Sequence, residues 1–139
     1  MATECEPDRG ELYSRLNPTA FHLIVTPQLH PWCQQRELVR YCQDHNIVIQ
    51  AYSPLATGAR LADPAVCSIA EKYKRSPAQV LVRYSLQKGW VPLPKSENPE
   101  RMQENLDVFT FELDDSDMQL LNSLDEGKDG AQFPANVTA

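Results

Sequence analysis

Three short stretches of this chain bring together residue types that could bind or transform a ligand. In the first, Lys95-Ser96 is followed by the helix-start pair Asn98-Pro99 and then by Arg101. An ammonium, a hydroxyl and a guanidinium around a helix N-terminus suit a phosphate. The first backbone N–H groups there have no intrahelical partner, and the helix dipole favours an anion. The same residues also read as a solvated cluster in which Glu97 or Glu100 supplies the counter-charge. In the second stretch, Tyr52-Ser53-Pro54-Leu55, a flat ring stands at a strand end, where it either stacks on a planar ligand or packs in the core. The third, Gln28-Leu29-His30-Pro31, carries an imidazole that could serve as an acid/base group or metal ligand. His22 and His45 stand at no ligand spacing from it, and Cys5, Cys33, Cys42 and Cys67 form no CxxC pair, so a metal site is not expected. His30 reads as a structural loop histidine. The chain contains no nucleophile elbow, no GxGxxG and no Walker loop.

The elements that must position these corners follow from periodicity. Apolar runs at 21–26 (FHLIVT), 47–52 (IVIQAY) and 90–94 (WVPLP) read as short buried strands. Leu38, Tyr41, Cys42 and His45 fall on one face of a helix over 34–45. Asp63-Pro64 starts a second helix, with Val66, Ile69, Ala70 and Tyr73 inward. Ser76-Pro77-Ala78-Gln79 is a capping box that opens a third, over 77–88. Asn98 caps a helix through Asn105, and Asp114 caps a last one over 115–124. Residues 1–20 show no clean period and are expected to form a loose leader, and 125–139 a flexible tail. Strand, helix, strand, helix pair, strand, helix is the alternation that demands a parallel sheet. Three strands do not close a barrel, so the pattern leaves open a small α/β sheet or part of a larger barrel. In either, function gathers where strands end and helices begin, which is where all three stretches lie.

Composition narrows the classes. A formal net charge of −6 without a Lys/Arg run disfavours nucleic acid and anionic membranes as partners. No apolar run reaches the ~18 residues of a membrane span. The start of the chain has no secretory pattern, so the cysteines read as reduced thiols of a cytoplasmic protein.

Four segments in order carry a family likeness: LHPWCQQRELVRYC (29–42), IVIQAYSPL (47–55), DPAVCSIAEKYKRSPAQVLVRYSLQKGWVPLPKS (63–96) and NPERMQENLDVFTFEL (98–113). Over roughly 29–124 the chain resembles the second half of the aldo-keto reductases. The resemblance implies the C-terminal portion of a (β/α)8 barrel, strands six to eight with their helices, in an incomplete barrel over 21–124. It implies an NADP(H)-dependent oxidoreductase line that reduces aldehyde or ketone carbonyls of small molecules. By the same resemblance Tyr52 matches the tyrosine that stacks on nicotinamide, and Ser53 and Leu55 the loop along the pyrophosphate. Lys95, Ser96 and Arg101 match the group around the 2′-phosphate of adenosine, and Glu104 and Asn105 the adenine contacts. The family's catalytic Asp, Tyr, Lys and His come from the first half of its barrel, which residues 1–20 do not match. No catalytic residue is therefore assigned, and the chain is expected to be a shortened form, or a catalytically inactive remnant that binds NADP(H) or pairs with another chain. Where the family carries Asn-Gln before the His-Pro corner, this chain has Val25-Thr26, with Pro27 entering the strand and Gln28 in place of a glutamate. An incomplete barrel exposes strand edges, so self-association through them is a further expectation.

Overall fold

The computed structural model describes residues 24–133. Strands β1 (Ile24–Val25), β2 (Val48–Tyr52) and β3 (Val91–Leu93) form one parallel sheet in the order β1-β2-β3. Ile24 lies opposite Val48, and Gln50, Ala51 and Tyr52 lie opposite Val91, Pro92 and Leu93. The expected alternation is therefore realised, with strands in chain order. The first strand ends at Val25, one residue before the expected 26. Residues 21–23 lie outside the described residues, and the ladder stops at Val25 because Pro27 has no N–H to give. Pairing resumes beyond the proline, where the Tyr52 N–H donates to the Pro27 carbonyl (2.9 Å) and the Leu29 N–H to that of Tyr52 (3.2 Å).

Among the described residues, five α-helices connect and cover the strands: α1 (Arg36–Asp44), α2 (Pro64–Tyr73), α3 (Pro77–Gln87), α4 (Pro99–Leu106) and α5 (Asp115–Ser123). Four start at the caps read from the sequence. The side chains of Asp63, Ser76, Asn98 and Asp114 accept from first-turn N–H groups, each worth roughly 0.5–2 kcal/mol. Helix α1 begins two residues later than expected. Gln35 takes a left-handed conformation (φ 40°), and the Gln34 amide donates instead to the Pro31 and Asn122 carbonyls (2.8 and 3.0 Å).

The helices lie on one side of the sheet. Along β2, Ile49 and Ala51 are 4% and 0% exposed and face them, whereas Val48 and Tyr52 on the other side are 41% and 45% exposed. Period-2 alternation thus divides the strand between a packed face and an open one. Trp32, Tyr84, Trp90 and Leu121 fill the core, with the Tyr84 and Trp90 rings edge to face at 5.9 Å.

The beginning of the expected flexible tail is packed, which corrects that reading. Asp125 pairs with Arg36 (2.7 Å), Glu126 pairs with Arg60 through both carboxylate oxygens (2.8 and 2.7 Å), and the Glu126 N–H donates to the Trp32 carbonyl (2.9 Å). A short 3-10 turn, Gly127–Gly130, follows. Gly130 is buried so closely that a Cβ there would run into the Trp32 carbonyl. The Arg60 and Arg36 partners are 66 and 89 residues upstream, so a polar local composition gave no sign of them. Residues 134–139 lie outside the described residues.

Candidate cofactor site at the carboxyl ends of the strands

The chain leaves β2 through a sharp turn. Tyr52 is held by the segment that follows β1, its N–H donating to the Pro27 carbonyl and its carbonyl accepting from the Leu29 N–H. Ser53 then adopts φ 51°, a left-handed conformation that a non-glycine residue takes only where its surroundings fix it. The turn buries Pro54 and sets Leu55 half-buried against the core. The Tyr52 ring stays on the open side, 45% exposed, and lies 5.7 Å from the ring of Phe133 at 41°. The ring is not packed in the core of the described residues. Phe133 is a neighbour that the sequence did not disclose. Its backbone N–H reaches the Gln28 side-chain oxygen at 3.4 Å, a contact across 105 positions.

The next strand ends beside it. Leu93 is the register partner of Tyr52, and Lys95 and Ser96 follow two and three residues later. Both corners therefore stand at the same end of the sheet. The Lys95 side chain is 79% exposed and bonds Glu97 (2.6 Å), so the paired surface reading describes Lys95 as it stands. Ser96 Oγ accepts from the Asn98 N–H (3.2 Å), and Asn98 Oδ1 accepts from the Glu100 and Arg101 N–H groups (2.8 and 3.1 Å). The cap thus already occupies part of the N-terminal donor set of α4. The Arg101 side chain makes no ion pair with Glu100; it is exposed, one turn into α4. Glu104 is exposed and Asn105 half-buried further along the same helix. The Glu104 carbonyl, with that of Asp107, accepts from Gln79 Nε2, each at 3.1 Å. Gln79 fastens α4 to α3, a role not legible in its place in the capping box.

His30 is fully buried. With the Gln28 amide donating to its Nε2 (3.1 Å), the ring proton sits on Nδ1, which has no partner among the described residues, and the ring lies 5.9 Å from that of Trp32. Burial, aided by the charge of Arg60, lowers its pKa to about 4. A neutral imidazole without solvent access is a packed loop residue, as its place before Pro31 indicated. No cluster of three or more His, Cys, Asp or Glu side chains placed to hold a metal occurs among the described residues. No helix among them is long and apolar enough to cross a membrane.

A parallel sheet with its polar corners gathered at the carboxyl ends of the strands defines an α/β protein of the class that binds ligands at that end. The family model for the aldo/keto reductase family matches residues 16–126, and the chain belongs to that family. The match begins at Leu16, so the last part of 1–20, read as unmatched, falls inside it. An aldo-keto reductase of Mycolicibacterium vanbaalenii is 51% identical over 100 residues, which is 72% of this chain and 36% of that one. An uncharacterized oxidoreductase of Schizosaccharomyces pombe, P32A8.02, is 47% identical over 116 residues, 84% of this chain and 41% of its own length. The crystal structure of a Gox0644 mutant in complex with NADPH superposes with a TM-score of 0.78 at 43% identity, over 84% of this chain and 43% of that one. The chain thus spans about two fifths of the length of the relatives it matches.

Proposed function

We propose that this chain is the cofactor-holding portion of an NADP(H)-dependent carbonyl reductase, its three strands corresponding to the sixth, seventh and eighth of the family's barrel. The observation that carries the reading is the convergence of Tyr52-Ser53 and Lys95-Ser96-Arg101 on one end of two register-paired strands. The NADPH complex of the Gox0644 relative supports the cofactor.

The residues fit it. Arg101 is solvent-facing, and the salt bridge of Lys95 to Glu97 is an exposed one, worth at most about 1 kcal/mol and open to exchange for a phosphate. In this reading Lys95, Ser96 and Arg101 hold the 2′-phosphate of the adenosine, Glu104 and Asn105 border the adenine, and Ser53 and Leu55 follow the pyrophosphate. The exposed ring of Tyr52 lies against the nicotinamide, with Phe133 at its border. Bound NADPH supplies a hydride for an aldehyde or ketone. Val25-Thr26, where the family carries Asn-Gln, leave the carboxamide without its amide anchor, so the nicotinamide end is held more loosely than the phosphate end. None of the residues at these corners stands out as the proton donor that a forming alkoxide needs.

The test is calorimetry with both cofactors. A charge-assisted contact is worth about 1.5–3 kcal/mol. Arg101→Ala should then weaken NADPH at least about tenfold and leave NADH nearly unchanged. Equal losses for both remove the phosphate role.

A second reading, association with another chain, is favoured by the open face of the sheet. Ile24, Val48, Tyr52, Val91 and Leu93 are all more than two fifths exposed there. Apolar side chains contiguous on one sheet face mark an association surface. Sedimentation equilibrium tests it. Self-association that Val48→Lys abolishes supports the reading, and a monomer at high concentration removes it.

A further inference from the structure

The sequence contains no run of basic residues, yet the fold assembles one cluster far from the corners just described. Arg36 and Arg40 stand one turn apart on α1. Lys88 caps the end of α3, and Trp90 directly precedes β3. With Gln34, Val39 and Gln43 they line a cleft of about 220 Å³. It lies by the amino end of β3, the opposite end from Tyr52 and Lys95.

Arg40, Lys88 and Trp90 each lack a counter-charge in contact or an acceptor among the described residues. Asp125 is the carboxylate that reaches this group, and its oxygens are already taken. Oδ2 accepts from Arg36 Nε (2.7 Å), and Oδ1 from the Gln34 and Gly127 N–H groups (3.2 and 3.1 Å). Lys88 has no carboxylate in contact among the described residues. Its Nζ bonds the Asn122 side-chain oxygen (3.1 Å) and rests over the rings of Tyr84 and Trp90, at 5.9 and 5.6 Å from their centroids. Burial, and then the charge of Arg36, push its pKa down. Arg40 is exposed and makes no ion pair among the described residues. Trp90 is 2% exposed, and its indole N–H is buried without an acceptor. Such a donor costs roughly as much as a lost hydrogen bond. In a chain of net charge −6, a cleft where Arg40 and Lys88 make no ion pair among the described residues, and where a buried donor finds no acceptor among them, is a local inversion.

We propose that this cleft binds a small multivalent oxyanion, of the phosphate or polycarboxylate type. Such an anion brings the counter-charge that Lys88 and Arg40 lack, and it is an acceptor of the kind the Trp90 N–H lacks. At about 30 Å³ for each water, the cleft has room for roughly seven waters. That is of the order of a phosphorylated three-carbon compound or a tricarboxylate. The site is separate from the NADP(H) corner, and either stands if the other fails.

The test is titration of the whole chain, ¹⁵N-labelled, with inorganic phosphate and separately with citrate, ionic strength being held with potassium chloride. The Trp90 and Trp32 indole N–H signals and the binding heat are followed. The expected result is saturable binding of at least one anion, with the Trp90 indole signal moving and that of Trp32 staying. The tighter arm assigns the class, phosphate or carboxylate. Arg40→Gln and Lys88→Met should each weaken the binding read by the Trp90 signal about tenfold, and the double variant Lys95→Ala/Arg101→Ala should leave the Trp90 titration unchanged even where it removes binding heat. Arg40 is exposed and unpaired, so its variant carries the test if Lys88→Met fails to fold. The proposal is overturned if neither anion saturates, if Arg40→Gln binds as the wild type does, or if the loss in the Trp90 titration appears in the Lys95/Arg101 variant instead.

Discussion

Gln79 couples the stability of the chain to the candidate phosphate corner, and replacing it tests that coupling. It is 5% exposed and makes three hydrogen bonds. Oε1 accepts from the Ser76 N–H at 3.0 Å, and Nε2 donates to the carbonyls of Glu104 and Asp107 at 3.1 Å each. At about 0.5–1.5 kcal/mol for each bond, Gln79→Ala forfeits roughly 1.5–4.5 kcal/mol. Water reaching the freed carbonyls of the exposed α4 keeps the expected loss near the middle, about 3 kcal/mol. Gln79→Glu is a sharper probe. It keeps the acceptor for Ser76 but sets a carboxylate against two carbonyl oxygens, and should cost at least as much at neutral pH. Below the carboxylate pKa the protonated side chain regains one donor, and part of the loss returns. Urea unfolding at pH 7 and pH 4, followed by circular dichroism, measures both variants against the wild type. NADPH affinity of the folded Gln79→Ala protein should also fall, because α4 carries Arg101, Glu104 and Asn105. A Gln79→Glu protein as stable as the wild type at pH 7, or one whose relative loss does not shrink at pH 4, refutes the reasoning.

Gly130→Ala should destabilise by about 1–3 kcal/mol, because the added Cβ meets the Trp32 carbonyl oxygen. Limited proteolysis should then cut near residue 130 faster than in the wild type, and unchanged cleavage contradicts the packing. His30, with its folded pKa lowered to about 4 against an ordinary 6.5, takes up a proton more readily when unfolded. Its contribution is therefore intact above about pH 6.5 and is lost between there and pH 4, by about 3 kcal/mol at most. Urea midpoints across that window should slope in the wild type and flatten in His30→Gln. Asp114, held low by Lys72, and Glu126, held low by Arg60, act in the acid range below the usual carboxylate pKa, where stability falls as they are protonated. The 139-residue polypeptide should show no NADPH oxidation with simple aldehydes. Turnover that Tyr52→Phe or His30→Ala abolishes would reveal a proton donor among these residues.

Local signals proved legible because their physics is local. Asp63, Ser76, Asn98 and Asp114 each cap the helix that follows them, since a side-chain oxygen reaches N–H groups two or three residues away. The parallel order of the strands followed from their spacing, as helices between them leave room for no hairpin. The corners at 52–55 and 95–101 were recognisable because strand ends and helix starts write themselves in tyrosine, proline and capping residues. Tertiary structure alone decided the rest. It showed which face of β2 is open, that Phe133 borders Tyr52, and that Asp125 and Glu126 reach back to Arg36 and Arg60. It also brought Arg36 and Arg40 to Lys88, some fifty residues along the chain. These contacts join residues whose separation is set by how helices pack on a sheet, and no short window of sequence contains both partners.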